Sequence, residues 1–320
     1  MIDHDYLKLL TETPSVGTAC KPIENLVSER FGARFSRISV EDGFSLFHRA
    51  DGRPQDLEAV YIAHADEIGG AVYEERTERR GGYNTRVWGN TPSVFAEAKL
   101  QAYDWLSEDG ESAFPVQGEV VEEGGEERMV LHGEGIRPFR TAWTFLERTS
   151  ISNDIIEGKA LDPRVTLYSV IEAVRELNTT AVGALIVMAE ECAMDVARKA
   201  VHFLQTNSPK LRLIVNADVP CLPNLADSRL DMPAIRIFEG RNFIDPSFGI
   251  RMSDRLKSKG VEFHLSAARS GSQTILFTPL APTLSIALPS DGSHLPRVRM
   301  SIKGTERCTN LLKAAWEEIY

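Results

Sequence analysis

The sequence predicts an α/β protein, a mainly parallel sheet flanked by helices and interrupted by a small inserted β-rich domain. Two patterns carry this prediction. After residue 158, apolar strands alternate with helical segments, as in a parallel sheet covered on both faces. Between about Tyr73 and Glu157, glycine-rich and acidic turns (ERRGGYN, SEDGES, VEEGGEER) instead separate short alternating segments such as RMVLHGEGI. A chain of 320 residues has room for both parts. The expected division is a discontinuous α/β domain, 1–68 and 158–320, and an insert, 69–157.

The elements follow from periodicity and turn chemistry. Residues 4–12 and 22–31 have amphipathic helical spacing, separated by the turn-forming TPSVGT. FSRISVED and FSLFHRA alternate as strands, and LEAVYIAHADEIGG is a strand that ends in polar residues. Beyond the insert, a helix is expected over 164–177 and a buried strand over 181–189, followed by a helix at about 194–206. The strand LRLIVNADV comes next, with further strands around 233–239 and a helix near 252–259. EFHLSA and TLSIALP read as strands, and a final helix covers about 303–319.

Composition narrows the function. The net charge of −10 lacks the Lys and Arg excess that nucleic acid would demand. Basic runs such as Arg76–Arg80 (RTERR) are interrupted by acid and read as solvated surface. No apolar run approaches the roughly 18–20 residues of a membrane span. MIDHDYLKLL lacks the basic and apolar regions of a signal peptide, so a cytoplasmic protein is expected. Cys20, Cys192, Cys221 and Cys308 are scattered without a C-x-x-C pair and read as reduced thiols.

The chemistry-bearing residues gather at strand ends. TTAVGALIVMA runs directly into Glu190 and Glu191, an electrostatic conflict for a buried strand. AHADEIGG places His64 and Asp66 two apart, so both side chains are expected on one face of the sheet. GKALDPR carries Asp162, IVNADVP carries Asp218 and PSDGSHLP carries His294. Singly, each has a plain structural reading: a paired His and Asp, a helix N-cap, a turn residue, a solvated loop histidine. Together they all lie at or just beyond the carboxyl ends of strands, where open α/β sheets bind ligands. Imidazoles and carboxylates converging there suit Zn²⁺, Co²⁺ or Mn²⁺. A carboxylate bridging two cations would set them roughly 3.5–4 Å apart. One glutamate could then bind metal while the other acts as general base.

The order His-x-Asp-Glu-Ile-Gly, Gly-Lys-Ala-Leu-Asp-x-Arg, Glu-Glu, Asp-Val and a late His resembles the TET-type dinuclear-metal aminopeptidases. These are relatives of deblocking and glutamyl aminopeptidases, some labelled endoglucanases. The resemblance spans essentially the whole chain, including LLTETPSVG, and implies a zinc-peptidase-like α/β fold. It implies that His64 and Asp218 bind one metal, Glu191 and His294 a second, and that Asp162 bridges. Glu190 would be the catalytic base and Asp66 would orient His64. Peptide substrates, two divalent ions (Zn or Co, with Mn possible) and a homo-oligomer of dimers building to a dodecamer are likewise implied. The insert would shape the substrate entrance and mediate assembly.

The chain departs from the family at three places. Pro163 stands where relatives have Asn after the bridging Asp, and a cis Asp162–Pro163 bond is expected. Cys192-Ala193-Met194-Asp195 replaces a glycine-containing run after the glutamates, and Ser270–Thr274 (SGSQT) replaces Gly-Gly-Thr-Asp. Competing readings are a related deacylase or carboxypeptidase, a glycosidase that would leave His64 and His294 unexplained, and a catalytically silent assembly or binding homologue. No G-x-S-x-G elbow supports a serine nucleophile. His4, His48, His132, His202 and His264 read as structural or surface residues.

Overall fold

The structure, a computed structural model, describes residues 2–41, 43–77, 82–108, 112–220, 227–268 and 271–319. Cys221, Ser270 and positions 78–80 of the basic run lie outside the described residues. The chain opens with helices α1 (His4–Glu12) and α2 (Lys21–Phe31), hairpin strands β1 (Phe35–Val40) and β2 (Phe44–Arg49), and β3 (Ala59–His64). Asp3 caps α1 by accepting the Tyr6 amide at 3.1 Å.

A closed barrel follows. Its strands are β4 (Gly69–Glu75), β5 (Tyr83–Trp88), β6 (Leu100–Asp104), β7 (Phe114–Glu123), β8 (Glu126–His132) and β9 (Thr141–Phe145), with the short helix α3 (Pro92–Ala96) between β5 and β6. Every pairing is antiparallel in the order β4-β5-β8-β7-β6-β9, and β9 closes on β4. Closure removes the free edges that alternating strands would otherwise expose. Phe95 from α3 fills the interior, edge-on to Trp143 and stacked on Phe145.

The return to the α/β domain runs through β10 (Ser150–Ser152) and β11 (Ile155–Gly158) into α4 (Leu161–Glu176). The remaining elements are β12 (Val182–Val187), α5 (Asp195–Asn207), β13 (Leu213–Asp218), α6 (Asp227–Leu230), β14 (Ala234–Glu239), β15 (Asn242–Phe243) and α7 (Pro246–Ser258). They continue with β16 (His264–Ala268), α8 (Thr274–Phe277), β17 (Thr283–Ala287), β18 (Val298–Ser301) and α9 (Ile302–Glu317). Strand β11 pairs with β10 on one side and with β18, 140 residues downstream at Gly158–Val298, on the other, as a separate small sheet.

The main sheet has the order β1-β2-β12-β3-β13-β17-β14-β15, with β16 beside β14. Its centre, β12-β3-β13-β17, is parallel. The flanks are not. β2 joins β12 antiparallel and β14 joins β17 antiparallel, so the sheet is mixed where a mainly parallel one is expected. On one side the β1–β2 hairpin, whose short turn joins only antiparallel strands, brings both strand polarities into the sheet whichever of its strands docks on β12. Alternate residues of β3 serve opposite faces. Tyr61 and Ala63 pack into the layer of α4 and α9, Val60 and Ile62 into that of α5 and α8. Among the described residues no helix is long and apolar enough to cross a membrane.

Candidate metal centre

β3 lies between β12 and β13, so three strand ends meet at one edge of the sheet. His64 is the last residue of β3, Glu190 and Glu191 follow β12, and Asp218 ends β13. Asp162 arrives from the start of α4 and His294 from the loop between β17 and β18. All the candidate residues therefore converge, as the strand-end argument requires.

Asp66 is not on the strand with His64, because β3 stops at His64. It lies in the following turn, buried, and accepts the His64 Nδ1–H at 3.3 Å. Its two oxygens also accept the backbone amides of Glu190 (2.9 Å) and Glu191 (3.0 Å). Ala189, at a left-handed φ of 67°, turns the chain so that both amides face Asp66. The adjacent glutamates thus hang from a carboxylate that fixes their backbone.

With Nδ1 engaged, His64 Nε2 faces Asp218 Oδ1 at 3.5 Å and Asp162 Oδ1 at 3.7 Å. On the other side, His294 Nε2 lies 3.1 Å from Glu191 Oε1 and 3.6 Å from Asp162 Oδ2. Ligand atoms of His64, Asp162 and Asp218 fall within 4.8 Å of one another, as do those of Asp162, Glu191 and His294, and those of His64, Glu190 and Glu191. Asp162 belongs to two of these groups, one oxygen directed at each histidine.

Asp162 has the extended backbone of a residue at a helix start (ψ 113°) and a cis peptide bond to Pro163, but its side chain does not cap α4. Oδ2 accepts the Ser293 hydroxyl at 2.6 Å, whereas Oδ1 is buried without a hydrogen-bond partner. A buried carboxylate oxygen lacking a donor is costly. A cation between His64 and Asp218 would offset that cost, and the nitrogen and oxygen donor set fits zinc or cobalt.

Electrostatics follow from five carboxylates and two imidazoles in one buried cluster. Burial pushes Glu190 up to about 8; His64 opposes this, and Asp218 and Glu191 reinforce it. Burial likewise raises Glu191, against its hydrogen bond to His294. Burial alone would lower both histidines, but the carboxylates around His64 hold it well above its ordinary range. Glu191 and Asp162 lift His294 to about 10. Asp218 falls to about 2, since His64 and Arg236 outweigh its burial. A bound cation would compete with the protons on these imidazoles.

Several supporting residues went unread in the sequence. Arg236 lies 3.5 Å from Asp218 and bonds Glu239 at 3.1 Å, below the site. Glu239 also accepts the Ser272 hydroxyl at 2.7 Å, and Gln273 donates to Asn216 at 3.2 Å. The described part of SGSQT is therefore built into a buried polar network beneath Asp218. Glu67 and Lys159 form a fully buried ion pair with contacts of 2.7 and 2.9 Å. Both stand in the motifs that supply His64 and Asp162, so a signal for them existed. Gly89 and Asn90 touch His294 from the barrel, and nothing in the turn WGNTP announces it. His48, His132 and His264 lie outside every ligand group, as do His4 and His202.

No family profile and no curated protein matches the sequence. Solved structures do. A TET1 peptidase of Pyrococcus horikoshii, able to assemble into a tetrahedron or a large octahedral shell, superposes with a TM-score of 0.80 at 16% identity, covering 97% of this chain and 98% of that one. A TET aminopeptidase from a marine-sediment thaumarchaeote gives 0.80 at 14% identity over 99% of both chains. An M18-family aminopeptidase of Thermotoga maritima gives 0.71 at 9% identity, covering 98% and 95%. The chain shares the fold of these proteins along its whole length.

Proposed function

We propose that this chain is a divergent TET-type aminopeptidase, a hydrolase that releases N-terminal residues from peptides with two divalent cations and Glu190 as general base. His64 and Asp218 would hold one cation, Glu191 and His294 the other, with Asp162 shared between them. Zinc or cobalt suits these donors first, manganese next. When bound, the cations would polarise the scissile carbonyl and make water a stronger acid near neutral pH. The observation that carries the reading is Asp162, with one oxygen toward each histidine and Oδ1 otherwise unpartnered.

Glu190 takes a proton from the attacking water and returns it to the leaving amine. Its backbone is held by Asp66, so the carboxylate has a fixed pivot. Asp66 also keeps the His64 proton on Nδ1 and leaves Nε2 as the donor atom. The α/β domain, 1–68 and 158–320, would carry the chemistry, while the insert, 69–157, frames the substrate entrance and takes part in assembly. We place the chain in the cytoplasm as a homo-oligomer built from dimers, in keeping with its free cysteines and the assembling neighbours.

The decisive variant is Glu190→Gln. It should bind zinc as the parent does and lose peptide hydrolysis by about 10³-fold or more, on the scale of a lost general base with its orientation of water. Near-normal turnover would remove Glu190 from this role. A second reading is a deacylase or carboxypeptidase on the same site, since Ala193 and Met194, exposed beside Glu191, change the neighbouring substrate pocket where this chain departs from the family. Free-amine peptides tested beside N-acylated amino acids separate the two.

A further inference from the structure

We infer that Gly89 and Asn90, in the turn leaving barrel strand β5, are positioning residues for His294, so that one half of the metal centre depends on the barrel and the other does not. The inference rests on the reading above that His294 binds a cation. Neither residue touches the reacting atoms in that reading. Both act through His294.

His294 needs external support. Its φ of 62° is left-handed, a region that a non-glycine residue rarely occupies without surrounding contacts that impose it. Its backbone carbonyl and its Nδ1 are both held from the barrel, over two hundred residues away. Asn90 Nδ2 donates to the His294 carbonyl at 2.7 Å, and the His294 Nδ1–H donates to the Gly89 carbonyl at 2.8 Å. The first bond secures the strained backbone. The second fixes the ring so that Nε2 turns toward Glu191 and Asp162.

The supporting pair is itself constrained. Asn90 Oδ1 accepts the Thr91 amide at 2.8 Å, which leaves the amide nitrogen aimed at His294. Gly89 has a φ of 84°, and a Cβ there would run into the Ile68 side chain. Only glycine puts its carbonyl in this place. The opposite half of the centre is oriented differently. His64 leans on Asp66, and Asp218 on Arg236 and the Val219 amide, all within the α/β domain.

Zinc titrated calorimetrically into metal-stripped protein tests the idea. Asn90→Ala should weaken one of two zinc sites by at least tenfold, leave the other within twofold, and keep the wild-type melting temperature within a few degrees. In a His294→Ala background, Asn90→Ala should have no further effect on zinc affinity, a non-additivity that a general structural role would not produce. Two unchanged sites, or an equal loss in both, would overturn the assignment. If Asn90→Ala does not fold, Asn90→Ser is read by the same titration. Wild-type protein that takes up no zinc would sink the metal-dependent reading instead. A crystal structure of the Asn90 variant then decides positioning alone: His294 should leave its left-handed conformation, and an unmoved His294 would reject the role.

Discussion

Asp66 joins the two halves of the proposed chemistry. One carboxylate holds the His64 ring and both glutamate amides, so Asp66→Asn places an amide N–H against backbone donors. Zinc affinity should fall about 10–100-fold, the usual effect of losing such a ligand-orienting partner, and a calorimetric titration that shows no change would contradict this. The same cluster predicts a pH response. His294 is raised to about 10 from an unfolded value near 6.5, so its contribution is complete below about 6.5 and vanishes as pH climbs through about 10. Glu190, raised to about 8, acts with the same sign, since the folded state favours its proton from about 4.5 upward. Metal-stripped protein should therefore melt at progressively lower temperature from pH 5 to 10, and added zinc should flatten that decline. Among the proposed ligands, His64, Glu191 and Asp218 were legible because each sits at or just past a strand end, where a buried strand does not otherwise tolerate charge. Asp162, at a helix start, and His294, in a loop, stood out only beside them. Asn90 was not legible, because an Asn before Thr-Pro has a complete explanation as turn chemistry.

At the scale of elements, the exit into the barrel and the return from it meet at Glu67 and Lys159. Glu67 bonds Lys159 twice, the Thr144 hydroxyl of β9 at 2.9 Å and the Ser15 amide at 3.1 Å. Burial lowers the Lys159 pKa, and Glu67 is the group that opposes this. Lys159→Met strands a buried carboxylate and should cost about 3–5 kcal/mol, whereas Glu67→Gln/Lys159→Met should recover much of that loss. Urea denaturation of the single and double variants measures the difference. Helix positions were mostly readable because capping and apolar spacing agree, as in α1 and α9, the latter capped by Ser301 toward the Gly304 amide at 3.0 Å. The mixed sheet was harder. Strand polarity at the flanks depends on which neighbour β14 finds, a long-range choice that period-two patterning does not encode. Strand β18 escaped for a related reason. Four residues long, it exists only because β11 returns beside it.

For the molecule as a whole, a net charge of −10 and four carboxylates crowded into the proposed ligand groups would make cation binding a source of stability. Zinc at about 100 times its dissociation constant contributes about 2.7 kcal/mol through linkage. Differential scanning calorimetry should show a melting temperature several degrees higher with zinc than with a chelator, and identical curves would argue against a bound ion. The Glu67–Lys159 pair carries one more consequence. It joins positions 92 residues apart, so everything between them leaves and re-enters through one narrow gate. To the α/β domain the barrel is topologically a long surface excursion, whose closure entropy grows only logarithmically with its length. The barrel's strand pairings are all internal to it and can form before the gate shuts. His64 and Asp162, on either side of that gate, come together only when it does. The connectivity thus ties the proposed reaction centre to the shutting of that gate, while the container between the two posts needs no part of the centre for its own pairings.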